Sequence, residues 1–154
     1  MNNRFTTRQL LFCIGLLWLG FACEKLENGP AFDPVPLIEL IETSSDTLVQ
    51  FADQLVLKIA YQDGDGDLGD PDPDVNSIFV KDSRLEVADE YYLGPLAPVG
   101  SEVSIQGVLD LMLSKTFLLG NGQQEKVIFS IYLVDRAGHR SNTIETGEVI
   151  LLRE

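Results

Sequence analysis

The chain has 154 residues, 24 of them acidic against 11 basic, for a formal net charge of −13 at pH 7. A nucleic-acid binder needs a basic footprint and an anionic lipid surface repels acid, so charge excludes both as partners of the folded part and leaves cations as the natural counterpart. The length suffices for one domain, which at this size buries roughly two-thirds of its unfolded surface and stands without disulfides.

Met1–Gln9 is polar and carries Arg4 and Arg8, Leu10–Leu19 is an apolar run, and Gly20-Phe21-Ala22 precedes Cys23. A charged start, a short apolar core and a small residue before the cut make an export signal, too short to span a bilayer comfortably. The Ala22–Cys23 junction resembles the lipobox of bacterial lipoproteins, which implies that Cys23 is acylated and becomes the new N-terminus. Gly20 stands where that motif carries an aliphatic residue. The alternative is an ordinary signal peptide or an uncleaved anchor, with Cys23 incidental. Cys13 and Cys23 are the only cysteines, so cleavage leaves no thiol for a disulfide. The expected organisation is a signal peptide at 1–22, a tether rich in Gly and Pro at 23–36 and a β-domain at 37–154. Several acyl chains on one residue hold a protein firmly, because each buried CH₂ contributes ~0.8 kcal/mol. The expected location is the cell envelope, at the periplasmic or surface face of the outer membrane.

Beyond the tether, apolar residues alternate and helical periodicity is scarce. Strands are predicted at 37–42, 47–51, 55–62, 77–81, 84–88, 102–112, 127–134, 143–146 and 148–152. Leu55, Leu57 and Ile59 form one inward face; Val103, Ile105 and Leu109 form a second, with Gly107 as a bulge. Val127, Phe129, Ile131 and Leu133 form a third. Leu85 and Val87 are expected inward as well. Residues 89–100 give no pattern, and Tyr91 and Tyr92 are expected to cover the core there. Short strands separated by Gly, Pro and Asp clusters predict an all-β sandwich of about seven strands.

The segment Val134-Asp135-Arg136-Ala137-Gly138-His139-Arg140-Ser141-Asn142 resembles the last hairpin of bacterial immunoglobulin-like and fibronectin-type domains. His139 replaces the asparagine usual in that turn. Together with Tyr61-Gln62-Asp63-Gly64-Asp65-Gly66-Asp67-Leu68-Gly69-Asp70 and the lipobox, the chain is similar to small lipoproteins of Bacteroidota. The resemblance implies an immunoglobulin-like β-sandwich and an envelope location, and no activity.

Asp63, Asp65, Asp67, Asp70, Asp72 and Asp74 alternate with small or rigid residues. Ca²⁺ takes 6–8 oxygen ligands, and carboxylates two residues apart on a tight loop can fold around one ion. Asp63, Asp65, Asp67 and Asp70 are the candidate Ca²⁺ ligands. The loop resembles Ca²⁺ loops of the Asp-x-Asp-x-Asp type, with departures: Leu68 occupies the glycine position of an EF-hand, Asp74 replaces its bidentate glutamate, and flanking helices are missing. An arrangement like that of cadherins, with the ion at one pole of a sandwich, fits better. The competing reading is a solvated acidic turn. If 55–62 and 127–134 are the second and sixth strands, their following loops share a pole, and Asp135 becomes either a fifth ligand or the cap of its own turn. Arg136 and Arg140 are expected to be solvated. Zinc is disfavoured, since His139 is the only histidine.

No nucleophile elbow, metal-binding histidine pair or phosphate loop is present, His139 falls in an expected exposed turn, and Trp18 lies in the signal. The chain is therefore expected not to be an enzyme. Two functions remain: a binding or structural module of the envelope with a Ca²⁺-rigidified loop, or an accessory subunit of a surface glycan or nutrient uptake or hydrolase system. In either case the partners are the membrane, through the lipid, and an envelope protein or glycan.

Overall fold

The computed structural model describes residues 32–114 and 116–154. The signal at 1–22, Cys13, Cys23 and the first part of the tether lie outside the described residues. The described chain is all-β, with ten strands: β1 Leu37–Thr43, β2 Thr47–Val49, β3 Leu55–Asp63, β4 Asn76–Asp82, β5 Asp89–Tyr92, β6 Ile105–Leu113, β7 Gln124–Val127, β8 Phe129–Leu133, β9 Ile144–Glu145 and β10 Val149–Leu152. They pair in the orders β1-β3-β6, β5-β4-β8-β9 and β2-β10-β7. All pairings are antiparallel except β2 with β10, which is parallel.

One core joins the three sheets. Leu55, Leu57 and Ile59 of β3 are fully buried, as the alternation predicts, and pack in one cluster with Ile131 and Leu133 of β8 and Leu151 of β10. Val127 and Phe129 are buried too. The sheets thus face each other across a shared apolar layer, as a two-layer sandwich requires.

Four expectations change. Val103 is 43% exposed and precedes β6, so it is no part of the core; the inward set of β6 is Ile105, Leu109, Leu111 and Leu113, with the first two half-buried. Gly107 sits in unbroken register opposite Tyr61 and forms no bulge. A Cβ there would come 2.6 Å from the Tyr61 hydroxyl oxygen, so glycine makes room for the ring. Residues 84–88 are a turn, with Val87 77% exposed, and the strand lies just after it at β5. The turn wins because Asp82 Oδ1 accepts from the Arg84 backbone N–H at 2.8 Å, the geometry of an Asx turn. Finally, the single strand expected at 127–134 changes partner in the middle. β7 pairs with β10 and β8 pairs with β4 and β9. Ile128, between them, exchanges two hydrogen bonds with Ser83: its N–H donates to Ser83 Oγ, and its carbonyl accepts from Ser83 N. The side-chain alternation continues through the switch, which is why the sequence reads as one strand.

Candidate metal centre

The inward faces of two core strands run directly into carboxylates. On β3, Leu55, Leu57, Ile59, Tyr61 and Asp63 share a face by the period of two, and Asp63 is fully buried. The inward row of β8, Phe129, Ile131 and Leu133, continues in step to Asp135, whose side chain is also fully buried. Both strands point the same way along the sandwich, so their ends meet at one pole. The loop after β3 adds Asp67. One carboxylate oxygen each from Asp63, Asp67 and Asp135 lie within 4.8 Å of one another.

The loop is held in shape by its own chemistry. Leu68, the residue that breaks the EF-hand pattern, is fully buried and joins the core cluster. Its backbone N–H donates to Asp63 Oδ2 at 3.1 Å, and its carbonyl accepts from Leu96 N at 3.1 Å. Gly69 has a φ of +83°, and a Cβ there would overlap the Gly94 carbonyl oxygen; only glycine serves at this turn. The β8–β9 turn closes the other side. The Ala137 N–H donates to Asp67 Oδ2 at 2.9 Å and Arg136 N to the Asp67 carbonyl at 3.3 Å. Arg136 is not the solvated side chain expected: its Nη1 donates to the Gly69 carbonyl at 2.5 Å and its Nη2 to that of Gly66 at 3.3 Å. Arg140 lies over the Tyr132 ring, 3.6 Å from its centroid.

Asp135 both caps its turn and faces the acidic group. Its Oδ1 accepts from His139 N at 2.7 Å, and its Oδ2 lies 3.0 Å from His139 Nδ1. Against an ionised carboxylate the ring can only donate, which places a proton on Nδ1. Asp65 is half-buried beside the group. Asp70, expected among the ligands, is outside the converging set. After Gly69 the chain turns away, Asp70 Oδ1 accepts from Asp72 N at 2.8 Å, and Asp72 Oδ1 accepts from Asp74 N at 3.0 Å. The later aspartates thus serve local turns.

Asp63 Oδ1, Asp65 Oδ1 and Asp67 Oδ1 are buried without a hydrogen-bond partner. Among the described residues, no lysine or arginine forms an ion pair with Asp63, Asp65, Asp67 or Asp135; His139 is the one basic neighbour. Burial pushes the Asp63 carboxyl from 3.8 up to about 6, opposed by the Leu68 N–H and reinforced by the charges of Asp65, Asp67 and Asp135. Asp67 is raised as well, first by burial and then by the charges of Asp135 and Asp65. Unpartnered buried carboxylate oxygens cost free energy unless a cation reaches them. Oxygens bound to one Ca²⁺ at 2.3–2.6 Å are at most about 5 Å apart, so the spacing of Asp63, Asp67 and Asp135 fits a hard cation.

Sequence alone did not mark Leu68 as the loop's anchor, Arg136 as its clamp or the contact between His139 and Asp135. Compared with known proteins, the chain matches no family model, no curated sequence and no solved structure.

Proposed function

We propose that this chain is an envelope lipoprotein, anchored through Cys23, whose β-domain is a non-catalytic binding or structural module built around one Ca²⁺. Asp63, Asp67 and Asp135 hold the ion, with Asp65 beside them. The observation that carries this reading is a contrast between two poles. The inward row of β4, Ile78 and Val80, also ends in a buried carboxylate, Asp82. There Arg84 supplies the countercharge, with Nε 3.0 Å from Oδ1 and Nη2 2.6 Å from Oδ2. The inward carboxylates of β3 and β8 have no such arginine and three unpartnered oxygens among their group. The strand orders, with β2 parallel to β10, support an immunoglobulin-like assignment for the domain. The lipobox-like Ala22–Cys23 supports the anchor.

Calcium titration of the purified protein, followed by melting curves with EDTA reversal, tests the metal. Binding to the folded state alone stabilises by about 2.7 kcal/mol at a hundredfold excess over Kd, a shift of several degrees for a domain of this size. Mg²⁺, which demands a tighter octahedron, shifts the curve much less. Asp65→Asn combined with Asp67→Asn abolishes the response. A wild-type curve unmoved by millimolar Ca²⁺ refutes the reading.

A further inference from the structure

The acidic group is not sealed. Asp65 and Asp67 form part of the wall of an open cleft that is also lined by Gly64, Gly100, Ser101, Glu102 and Arg136. Asp63 and Asp135 lie behind it, buried. An ion seated on Asp63, Asp67 and Asp135 is therefore next to solvent on the side of Asp67.

The oxygen count shows what that side must supply. Asp63 Oδ2, Asp67 Oδ2 and both oxygens of Asp135 already lie in hydrogen bonds from the protein. The free oxygens are Oδ1 of Asp63, Asp65 and Asp67. With one shared oxygen from Asp135, the protein offers about four ligands where Ca²⁺ takes 6–8. Two or more positions remain, and the open side of the group is the cleft walled by Asp65 and Asp67. Charge then selects the occupant. Four aspartates and Glu102 outweigh one Ca²⁺ and Arg136, so the loaded cleft keeps a net negative charge and disfavours anions. A neutral ligand with two adjacent oxygens fits both requirements. Its hydroxyls replace two waters on the ion and donate to the surrounding carboxylates, while unused Arg136 donors serve as partners for its acceptors.

We propose that this cleft binds a neutral sugar through Ca²⁺, two vicinal hydroxyls of the sugar completing the coordination of the ion held by Asp63, Asp67 and Asp135. The inference rests on the Ca²⁺ reading above and deepens it by naming the ligand class. Ser101, Glu102 and Arg136 line the bound sugar. The cleft has no aromatic wall among the described residues, so recognition depends on the metal and on hydrogen bonds.

The test uses the detergent-solubilised full chain and melting curves read in two steps. Ca²⁺ alone is titrated first; no shift at this step overturns the metal reading, and this inference with it. Mannose, fucose and galactose are then added at tens of millimolar to the Ca²⁺-loaded protein. At tenfold excess over Kd a sugar raises Tm by about 5 °C, and the increment vanishes in EDTA and with sugars lacking the vicinal diol. Glu102→Ala, at an exposed position, keeps the Ca²⁺ shift and weakens the sugar increment. A normal Ca²⁺ shift with no sugar increment overturns the sugar proposal alone. So does an increment that persists in EDTA, or one larger for glucuronate than for the neutral sugars.

Discussion

Asp63→Asn separates the cost of the acidic centre from its use. In the ion-free protein the Asp63 carboxyl titrates at about 6, against 3.8 for an unburied aspartate. Below pH 3.8 both folded and unfolded chains hold the proton, and the site costs nothing. As pH rises towards 6 the unfolded chain ionises first, so the unfolded state is favoured and stability falls. Above that the full penalty is in place, and the gap corresponds to about 3 kcal/mol. Asparagine has nearly the same shape, carries no charge, keeps an oxygen for the Leu68 N–H and offers an N–H to its acidic neighbours. In EDTA at neutral pH the variant is expected to melt about 10 °C above the wild type. The advantage shrinks below about pH 6 and is gone near pH 4. In saturating Ca²⁺ the order reverses, because the wild type gains binding energy that the variant loses. Circular-dichroism melts of both proteins across pH, with Ca²⁺ and with EDTA, give the four curves needed. An Asp63→Asn variant no more stable than wild type in EDTA refutes the desolvation argument, and equal Ca²⁺ responses refute the assignment of Asp63 as a ligand.

Leu68→Ala removes a fully buried loop anchor and should destabilise by about 3 kcal/mol; it should also weaken Ca²⁺ binding in calorimetry, because the backbone N–H that holds Asp63 Oδ2 is no longer fixed in place by the buried side chain. Arg84→Met strips Asp82 of three guanidinium contacts and Glu125 of one at 2.6 Å. It leaves a buried charge unpaired and should cost about 3 kcal/mol in urea unfolding, with Ca²⁺ affinity unchanged at the far pole. Metabolic labelling with a fatty-acid analogue should tag the wild type and not Cys23→Ser; equal labelling of both removes the anchor from the proposed function.

The core strands β3 and β8 are legible because each carries an uninterrupted period of two, and burial of one face fixes the register. What the sequence hid was mostly pairing. Nothing in Val127-Ile128-Phe129 marks the change of sheet, since alternation is kept while the backbone of Ile128 turns to Ser83. β5 is Asp-Glu-Tyr-Tyr, an edge strand without an apolar face, whereas Leu85 and Val87 alternate in a turn dominated by Asp82 and Arg84. Val103 looks like the start of a strand, but its carbonyl is packed against Gly66 and its neighbour Ser104 bonds the Gly64 carbonyl, so this segment braces the acidic loop. Within that loop, Asp-x-Asp spacing identified Asp63, Asp65 and Asp67 as candidates and also selected Asp70. Spacing does not carry the turn at Gly69 that takes Asp70 away.

The more informative signal was the continuation of a core face into a carboxylate. A strand that buries Leu55, Leu57 and Ile59 puts whatever stands at 61 and 63 on the same side, and a buried aspartate there demands a counterion. The same phase puts Asp135 beyond Leu133 and Asp82 beyond Val80. Three inward rows end in aspartate, and only the one followed by Arg84 has its charge met by a guanidinium. Arg136 follows Asp135 directly in sequence, yet it turns one Nη1 and one Nη2 donor to the carbonyls of Gly69 and Gly66 and none to a carboxylate. It organises the loop and leaves the carboxylates free. This division of labour explains how the loop is held by hydrogen bonds while its acidic centre stays unbalanced. Arg136→Lys separates the two roles. Lysine keeps a positive charge near the cleft but cannot hold both carbonyls in the planar arginine fork. Loop disorder, read as faster amide exchange at Gly66–Asp70, should increase, and Ca²⁺ affinity should fall although the net charge is the same. Unchanged exchange together with unchanged affinity contradicts the clamp.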